Sequence, residues 1–407
     1  MQEQFFVETV RQHGGRVYAV GGWVRDSLLA REAKDKDYVI SGFTAEQFQK
    51  LFPGAASVGK AFPVYILEIG NVNCEVALAR KEKKNGRGYC GFSVEYNSSI
   101  TIEEDLYRRD TTMNSIAVEL PEGTLVDPFG GAKDIAYKII RATSQHFLED
   151  PVRALRAARQ AAELGFSIAE ETLGFMQACK EEILDEPQER ILREMERALQ
   201  SDEPSVFFRI LQKAGLLEPV FPEVFALVGK TQPKEFHPEG DAFEHSMQIL
   251  DRVAAGTERV PARFAALVHD IGKGTTPKEM EPHHYGHEKR GIEVLLNWNQ
   301  RCRFPKIWLK SALLVIREHM RAPLLEKPGK IVALLLEIAQ GPLEFSEFNQ
   351  IILADHGALP IYLQEYTRFL ERIRTVSGKK CPPDLQGNEI GTWILQQQIK
   401  AYMMELE

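Results

Sequence analysis

Short runs of β-branched and aromatic residues, separated by glycine turns, are confined to the first 145 residues of the chain. Runs of this kind are typical of strands. The pattern predicts strands at 17–20, 38–40, 64–69, 73–78 and 115–120. This part of the chain is therefore expected to form a small mixed α/β domain.

From Glu149 onward the apolar residues recur every three or four positions, which is the spacing of amphipathic helices. Polar and proline-containing breaks fall at 201–204 and 230–240. We therefore expect an α+β protein, with a mixed N-terminal domain followed by helical domains. The expected division is 1–145, 146–230, 231–360 and 361–407.

Composition narrows the class of protein without identifying it. The chain has 407 residues, 44% of them hydrophobic and 27% charged, and a formal net charge of −8. The N-terminus shows no signal pattern, no apolar run is long enough to span a bilayer, and the five cysteines are scattered. We expect a cytoplasmic protein with no membrane contact. The charge argues against extensive nucleic-acid coating but allows local contact at the basic stretches 80–87 and 153–159.

A glycine turn follows the first predicted strand. Gly21 and Gly22 precede Arg25 and an apolar stretch, 27–30, that can open a helix. A turn between a strand and a helix can direct backbone N–H groups at an anion, and Arg25 adds a cation. Most Gly-Gly turns only connect elements, so a second element is needed.

Asp35 and Asp37 supply that second element. Alternate residues of a strand point to the same side, so both carboxylates would face one way while Lys36 faces the other. Two adjacent carboxylates repel each other unless a cation lies between them. A pair of Mg²⁺ ions could activate a 3′-hydroxyl and hold the leaving pyrophosphate. An isolated Asp-x-Asp in a solvated loop is the alternative.

Further candidate nucleotide contacts lie at 108–114, which contains Arg109, Asp110 and Asn114. Arginine suits triphosphate oxygens, and a carboxylate can accept from a ribose hydroxyl. A surface ion-pair cluster would have the same composition.

Asp150, Arg153 and Arg156 are candidate base and phosphate contacts. Asp150 and Arg153 are three residues apart, so on a helix they would share a face. A carboxylate there could accept from the exocyclic amine of cytosine or adenine while a guanidinium donates to the ring. Alternatively, Asp150 caps a helix that starts at Pro151, and both roles are compatible.

Together, the segments 21–26, 35–37 and 108–114 resemble the motifs of class II tRNA nucleotidyltransferases, the CCA-adding enzymes, and of their poly(A) polymerase relatives. The segments 127–141, 149–153 and 186–191 resemble the hinge, base-reading and neck motifs of that family. The resemblance implies a polymerase-beta-like head domain, a tRNA 3′ end with CTP and ATP as substrates, and no obligate protein partner. It also implies that 80–92 is the flexible loop used to switch from C to A.

Histidines and aspartates suited to metal binding are concentrated in the second half of the chain. His245, His269, Asp270 and Asp355 could hold a divalent ion that activates water against a phosphoester. The segment 268–274 resembles the motif of HD phosphohydrolases. That resemblance implies phosphatase and 2′,3′-cyclic phosphodiesterase activities with Ni²⁺, Co²⁺, Mn²⁺ or Mg²⁺, and it offers as weaker candidates for substrate or outer contacts His283, His284 and His319.

Three functions remain open at this point. The first is CCA addition combined with a phosphohydrolase. The second is poly(A) synthesis, or partial addition of CC or A, by the same motifs. The third is a signalling phosphohydrolase with an inactive nucleotide-binding module, which the intact Asp35 and Asp37 disfavour because a binding module does not need both carboxylates.

Overall fold

The computed structural model describes residues 1–33, 36–58, 64–84, 86, 92–235 and 237–406, and of residues 83, 84, 92 and 93 only the backbone. The chain forms two compact units. The first comprises Met1–Glu194 with Val206–Val220, and the second comprises Met195–Ser205 with Phe221–Glu407. The α+β expectation is confirmed, whereas the division into four domains stays a prediction.

A seven-stranded mixed sheet organises the first unit, with strand order β3-β4-β5-β2-β1-β8-β9. Only β2 and β5 run parallel; the other neighbours are antiparallel. The short pairs β6–β7 and β10–β11 lie outside this sheet. The strands are β1 (Arg16–Val20), β2 (Asp37–Ser41), β3 (Ala56–Val58), β4 (Val64–Ile69), β5 (Val72–Leu78), β6 (Lys81–Lys84), β7 (Phe92–Glu95), β8 (Ala117–Leu120), β9 (Thr124–Val126), β10 (Ile139–Ile140) and β11 (Ser167–Ile168).

Buried aromatic side chains form part of the hydrophobic core on one face of the sheet. Phe6, Phe48 and Tyr65 are fully buried, and the Phe48 and Tyr65 rings lie 4.3 Å apart between centroids. Helices cover the sheet and continue beyond it. Up to residue 220 they are α1 (Glu3–Gln12), α2 (Gly22–Leu28), α3 (Ala45–Leu51), α4 (Ile102–Tyr107), α5 (Gly131–Ala136), α6 (Val152–Leu164), α7 (Glu170–Ala178), α8 (Gln188–Leu199), α9 (Ser205–Lys213) and α10 (Leu217–Val220).

The second unit is mainly helical, and its described residues form no β-strand. Its interior is built on Phe264, Trp298 and Trp308, and the Phe264 and Trp308 rings lie 5.3 Å apart between centroids. Beyond residue 220 the helices are α11 (Pro222–Phe225), α12 (Ala242–Ala254), α13 (Val260–Val268), α14 (His287–Cys302), α15 (Lys306–Glu318), α16 (Pro328–Gln340), α17 (Phe345–His356), α18 (Ile361–Gln364), α19 (Tyr366–Arg374) and α20 (Asn388–Leu406).

Short 3₁₀ helices connect several of these elements. They lie at Thr112–Asn114, Gln145–Glu149, Glu182–Asp185, Ile271–Thr275, Lys278–Met280, Ala322–Leu324 and Gly378–Lys380. Within the described part of the chain, no helix combines the length and the apolar character needed to cross a membrane.

The elements predicted from the pattern are largely confirmed. All the predicted strands are present, and the break at 201–204 separates α8 from α9. The short strands β3, β6, β7, β9, β10 and β11 were not predicted, because two to four residues carry too little alternation. The expectation of a helix opening at 27–30 is wrong, since α2 already begins at Gly22 and ends at Leu28.

Candidate active sites

The glycine turn and Asp37 lie at the same end of two neighbouring strands in the seven-stranded sheet of the first unit. Strands β1 and β2 pair antiparallel, with Val20 opposite Asp37, so the turn that leaves β1 starts beside the first residue of β2. Gly21 has φ +70°, a left-handed conformation that favours glycine. Asp35 lies outside the described residues, so the expected pairing of the two carboxylates stays a prediction.

Arg25 is tied to neighbours on two sides. Its Nε donates to Asp26 at 2.8 Å, and its Nη1 donates to Asn114 Oδ1 at 3.0 Å. A guanidinium with these partners is fixed in direction and partly neutralised. The two segments that were singled out separately in the sequence, 21–26 and 108–114, are therefore joined by a hydrogen bond.

The guanidinium of Arg109 lies close to the glycine turn. A side chain on Gly21 would place its first carbon 3.4 Å from Arg109 Nη1, so the arginine approaches the bare backbone of the turn. Asp105 holds this arginine by accepting from its Nε and Nη2 at 3.3 and 3.1 Å, and it also accepts from Arg108. Burial alone would raise the pKa of Asp105, but Arg108 and Arg109 outweigh it and lower the pKa to about 2.

Asp110 is buried and holds its own set of partners. Its Oδ1 accepts from the Thr111 backbone at 2.8 Å and from Asn114 at 3.1 Å, and its Oδ2 lies 3.2 Å from Arg156 Nη2. Burial would raise the pKa of Asp110, yet Arg156 and Asn114 lower it to about 2. Among Asp110 and its partners, Arg156 is the most exposed, with 43% of its side chain accessible.

The predicted hinge segment positions these residues. Asp127 accepts from the backbone of Gly131 and Ala132 at 2.7 and 2.9 Å and so caps α5. Gly131 packs so closely that an added Cβ would lie 2.1 Å from the Thr112 carbonyl oxygen. Only glycine allows so close an approach. The segment 108–114, which carries Asp110, therefore packs directly against the predicted hinge segment 127–141.

The base-reading expectation for Asp150 requires a correction. Asp150 has an extended backbone and precedes α6, so it does not share a helical face with Arg153. Its Oδ1 accepts from the Val152 backbone at 3.1 Å, which confirms the alternative that Asp150 caps the helix. Its other oxygen accepts from Arg190 at 2.8 Å.

Arg153 is buried and points at different partners. Its Nη1 donates to the His146 carbonyl at 2.7 Å, and its Nη2 lies 3.8 Å from Glu82 Oε2. Glu82 also accepts from Arg108 at 2.8 Å. Glu82 belongs to β6, at the start of the predicted loop 80–92; residues 85 and 87–91 of that loop lie outside the described part.

The second site gathers residues from different helices of the second unit. His245 lies on α12, His269 follows the end of α13, His319 follows the end of α15, and Asp355 lies on α17. Asp270 follows His269 directly. The four predicted ligands His245, His269, Asp270 and Asp355 are therefore brought together. His245 and Asp355 are 110 positions apart in the sequence.

The distances within this cluster are short. His245 Nε2 lies 3.0 Å from Asp355 Oδ1, and His269 Nε2 lies 3.4 Å from His245 Nε2 and 3.3 Å from Asp270 Oδ2. Burial opposes a charge on His269, but Asp270 and Asp355 raise its pKa to about 10. Burial likewise opposes charge on Asp270, and Lys273 and His269 hold its pKa well below the usual range.

Two further histidines approach Asp270 from its other side. His287 Nε2 lies 3.1 Å and His319 Nε2 lies 3.4 Å from Asp270 Oδ1. His319 was a weaker candidate, and His287 was not among the predicted ligands. Its position as the first residue of α14, after a glycine and two other histidines, was the only signal in the sequence.

Gly272 makes this arrangement possible. A Cβ at Gly272 would lie 2.0 Å from the His287 carbonyl oxygen and 2.5 Å from the Gly291 nitrogen, so the turn after Asp270 packs directly against α14. Close packing against α14 therefore explains why the HD segment carries a glycine at position 272. Lys273 in the same turn lies 2.5 Å from Asp270 Oδ2 and donates to Gln232 at 2.6 Å.

His283 and His284 do not join the cluster. His283 is exposed and stacks on Tyr285, with ring centroids 5.5 Å apart. His284 uses both ring nitrogens elsewhere, at 2.9 Å from Thr276 Oγ1 and 3.0 Å from the Thr231 carbonyl. Both lie in the turn before α14, and in the described part of the chain neither belongs to a group of potential metal ligands around Asp270.

The cluster fits a divalent cation. His245 donates from Nδ1 to Glu239 at 2.7 Å, and His269 Nδ1 lies 2.7 Å from the Ala266 carbonyl, which can only accept. In the neutral rings the Nε2 atoms therefore carry lone pairs directed at each other and at carboxylates, and a divalent cation would take the place of the proton that Asp270 and Asp355 favour on His269. Converging acceptors of this kind, oriented by outer hydrogen bonds, are the arrangement of metal ligands.

Family models match three parts of the chain. The Poly A polymerase head domain matches residues 17–141, the HD domain matches 242–356, and the segment 165–227 matches the model described as a probable RNA and SrmB-binding site of polymerase A. The first match covers Gly21, Asp37 and Arg109, and the second covers His245, His269, Asp270 and Asp355.

Solved structures share the fold. A CCA-adding enzyme in an apo form aligns with a TM-score of 0.66 at 20% identity, covering 99% of this chain and 93% of that one. The CCA-adding enzyme of Bacillus stearothermophilus in complex with CTP aligns with a TM-score of 0.59 at 23% identity, covering 98% and 92%.

Curated relatives are similar over most of their length. The multifunctional CCA protein of Nitrosococcus oceani is 41% identical over 399 residues, which are 95% of this chain and 97% of the relative. That of Shewanella denitrificans is 45% identical over 309 residues, 75% and 74% of the two chains. The chain therefore belongs to the family of multifunctional CCA proteins and is an enzyme of the CCA-adding, tRNA nucleotidyltransferase class.

Proposed function

We propose that the first unit adds C, C and A to the 3′ end of tRNA from CTP and ATP without a nucleic-acid template. The observation that carries the proposal is the convergence of Asp37, the bare turn at Gly21 and the guanidinium of Arg109 at one edge of the sheet. Relatives named multifunctional CCA proteins span almost the whole chain, which supports tRNA as the substrate.

In this proposal Asp35 and Asp37 hold Mg²⁺, which would assist the attacking 3′-hydroxyl and the leaving pyrophosphate. Arg109 lies nearest the turn and binds triphosphate oxygens, with Asp105 fixing its direction. Arg25 reaches the same region and keeps Asn114 in place. Arg156 is the exposed cation beside Asp110, so it can contact a phosphate while the buried carboxylate orients it.

Base selection is assigned to Asp150 and Arg153. Since Asp150 already accepts from Val152 and Arg190, a base amine has to share or replace the Arg190 contact. Arg190 also donates to Glu186, so this arginine keeps a carboxylate partner when a base approaches Asp150. This exchange of the Asp150 partner links base binding to Arg190, which lies in the first turn of α8.

The experiment that tests the first function uses transcripts that end before CCA, before CA and before A. Each nucleotide is supplied singly and together, and the products are sequenced. CTP alone should give two additions on the shortest transcript, and CTP with ATP should give CCA and then stop. A growing run of A would make the enzyme a poly(A) polymerase, and a stop at CC or a need for preformed CC would make it a partial adder.

We infer a second activity for the second unit, a metal-dependent phosphohydrolase that acts on 2′,3′-cyclic phosphates and on 2′-phosphates. The support is the buried His245, His269, Asp270 and Asp355 cluster, in which ligand lone pairs converge. A divalent ion supplies Lewis acidity and lowers the pKa of water there. In this proposal Lys273, whose ammonium lies 2.5 Å from Asp270 Oδ2, contacts a phosphate oxygen of the substrate.

The test loads the protein in turn with Mg²⁺, Mn²⁺, Co²⁺ and Ni²⁺ and follows phosphate release from cyclic and linear 2′-phosphates. Hydrolysis with at least one ion is expected. If none of the four supports hydrolysis, the HD domain has a structural or regulatory role. We expect both activities in the cytoplasm, in keeping with tRNA as the shared substrate.

A further inference from the structure

Three aromatic side chains meet where α4 ends, directly before the segment 108–114. The Tyr107 ring lies 5.0 Å from the His146 ring between centroids, with an interplanar angle of 83°. It also lies 5.8 Å from the Phe129 ring, with an interplanar angle of 39°. We call Tyr107, Phe129 and His146 the aromatic cluster. The three residues come from separate parts of the first unit, so only the folded chain assembles the cluster.

Tyr107 is the exposed member of the aromatic cluster. Its exposed fraction is 46%, whereas Phe129 and His146 are half-buried and the preceding Leu106 is fully buried. Ser144 holds two members in place: its Oγ donates to the Tyr107 carbonyl at 3.0 Å and accepts from the His146 backbone N–H at 3.1 Å. A ring held in this way loses little conformational entropy when a ligand stacks on it.

The aromatic cluster adjoins residues of the transferase site at two points. The His146 carbonyl accepts from Arg153 Nη1 at 2.7 Å, so the arginine assigned to base selection is bonded to the backbone of a cluster residue. Tyr107 stands two positions before Arg109, the arginine that approaches the Gly21 turn. A ligand that stacks on Tyr107 would therefore lie next to the nucleotide bound by these arginines.

The chemistry of stacking decides between the two bases that meet at this site. Nucleobases stack on exposed aromatic rings, and the contact tolerates every base because each presents a π-face. The incoming base has to be chosen, which needs hydrogen bonds to its edge, such as those assigned to Asp150 and Arg153. The 3′ end of the tRNA has to be accepted whatever its base, since it changes from the original last nucleotide to C and to C again as the chain grows. An aromatic stacking surface suits the second requirement.

We propose that Tyr107 stacks on the 3′-terminal base of the tRNA and positions that end for transfer, with Phe129 and His146 supporting the ring. Tyr107 is then a binding residue for the acceptor end, separate from the residues that hold the triphosphate. Its loss should weaken tRNA binding and leave nucleotide binding as it is. The inference deepens the function proposed for the first unit and rests on the 3′ end of tRNA as its substrate.

A fluorescent base at the tRNA end tests the contact without any chemistry. A transcript that ends before CCA carries 2-aminopurine as its last nucleotide and is titrated with the full chain in the absence of nucleotides. Stacking quenches 2-aminopurine, so the wild type and Tyr107→Phe, which keeps a ring, should quench it at saturation. Tyr107→Ala should leave it bright and should bind the transcript about ten- to a hundredfold more weakly, the range of one base stacked on an aromatic ring.

The control for this titration is Phe5→Ala, which removes another exposed ring of the same unit. Phe5 is 62% exposed, and its loss should leave quenching and affinity as in the wild type. Quenching by Tyr107→Ala equal to that of the wild type at saturation, in protein with an unchanged melting temperature, would overturn the proposal.

A transcript with a missing base locates the partner of the ring. The same transcript with an abasic last nucleotide should bind the wild type about ten- to a hundredfold more weakly, and should bind Tyr107→Ala with little further loss. The two losses are not additive when the ring and the base contact each other. Additive losses would place the terminal base elsewhere and contradict the assignment.

Steady-state kinetics separate the tRNA end from the incoming nucleotide. In Tyr107→Ala the KM for the transcript should rise by about ten- to a hundredfold, while the KM for CTP stays within about twofold of the wild-type value. A raised KM for CTP with an unchanged KM for the transcript would assign the ring to the incoming base and overturn the proposal. Sequenced products show separately whether the enzyme completes CCA: a run of A, with quenching that still depends on Tyr107, would remove the proposed function and keep this inference.

Discussion

The two candidate sites satisfy their charges in different ways. In the head unit the arginines already have carboxylate partners: Arg25 with Asp26, Arg109 with Asp105 and Arg156 with Asp110. In the HD unit the nearby donors are histidine lone pairs and carboxylates, with Lys273 the ammonium beside Asp270. The head site therefore offers arginines whose directions are fixed by carboxylates, whereas the HD site gathers acceptor atoms that could hold a cation.

The two sites also differ in how far apart their residues lie in sequence. Gly21 and Asp37 meet because adjacent strands β1 and β2 place them together, and this pairing is local. His245 and Asp355 meet only after several helices have packed. Folding errors or substitutions in the helical core should therefore disturb the HD site first.

The largest expected effect separates the two chemistries. Asp37→Ala should lower CCA addition by about a thousandfold, since losing a metal ligand removes several kcal/mol of charge stabilisation. Hydrolysis of a 2′,3′-cyclic phosphate should be unchanged. Single-turnover addition to a transcript that ends before CCA gives the rate, and Glu75→Gln, an exposed acid on β5, is the control. Loss of both activities in a folded variant would contradict two separate sites.

The reciprocal change should affect only the other site. His269→Ala or Asp270→Ala should reduce metal-dependent hydrolysis by about a hundredfold or more, because an ion that loses one ligand is lost or misdirected. Addition of CCA should continue at the parental rate. Both activities are measured on the same preparation, and His13→Ala in the head unit serves as the control. Parental hydrolysis in both variants would place the hydrolytic ion elsewhere.

A smaller effect is expected in base choice. Asp150→Asn should reduce the preference for CTP over UTP by about ten- to a hundredfold, the range of one good base contact. The measurement is the ratio of kcat/KM for the two nucleotides on a transcript that ends before CCA. An unaltered ratio would leave Asp150 as a helix cap held by Arg190.

Much of the head site could be predicted from the sequence, because strand alternation and the glycine turn are local signals. The details that were missed are pairings across longer distances, such as Asp150 with Arg190. The HD site was predicted in part. His245, His269, Asp270 and Asp355 were predicted from the motif, but His287 was missed because only the packing of Gly272 against α14 brings it to Asp270.

The smallest expected effect concerns stability. Asp105 is fully buried with a pKa lowered from 3.8 to about 2, so its ionised form contributes about 2 kcal/mol to folding. A lowered pKa gives stability that is present above the unfolded value and lost as the pH falls through the folded value. In urea unfolding, Asp105→Asn should be less stable at pH 7, and the difference should shrink between about pH 4 and pH 2.

The control for that measurement is Glu103→Gln, an exposed acid on the same helix, which should change stability by less than about 0.5 kcal/mol. A difference between wild type and Asp105→Asn that stays constant with pH would mean that packing, and not the charge on Asp105, stabilises Arg108 and Arg109.

The central claim is that one chain holds two independent active sites. It is tested most directly with a tRNA that lacks CCA and ends in a 2′,3′-cyclic phosphate, supplied with CTP and ATP. Addition requires a free 3′-hydroxyl, so the wild type should complete CCA, Asp37→Ala should only remove the phosphate, and His269→Ala should leave the end untouched. An equimolar mixture of the two variants should restore CCA addition. Completion of CCA on this substrate by His269→Ala alone, at the wild-type rate, would contradict the account.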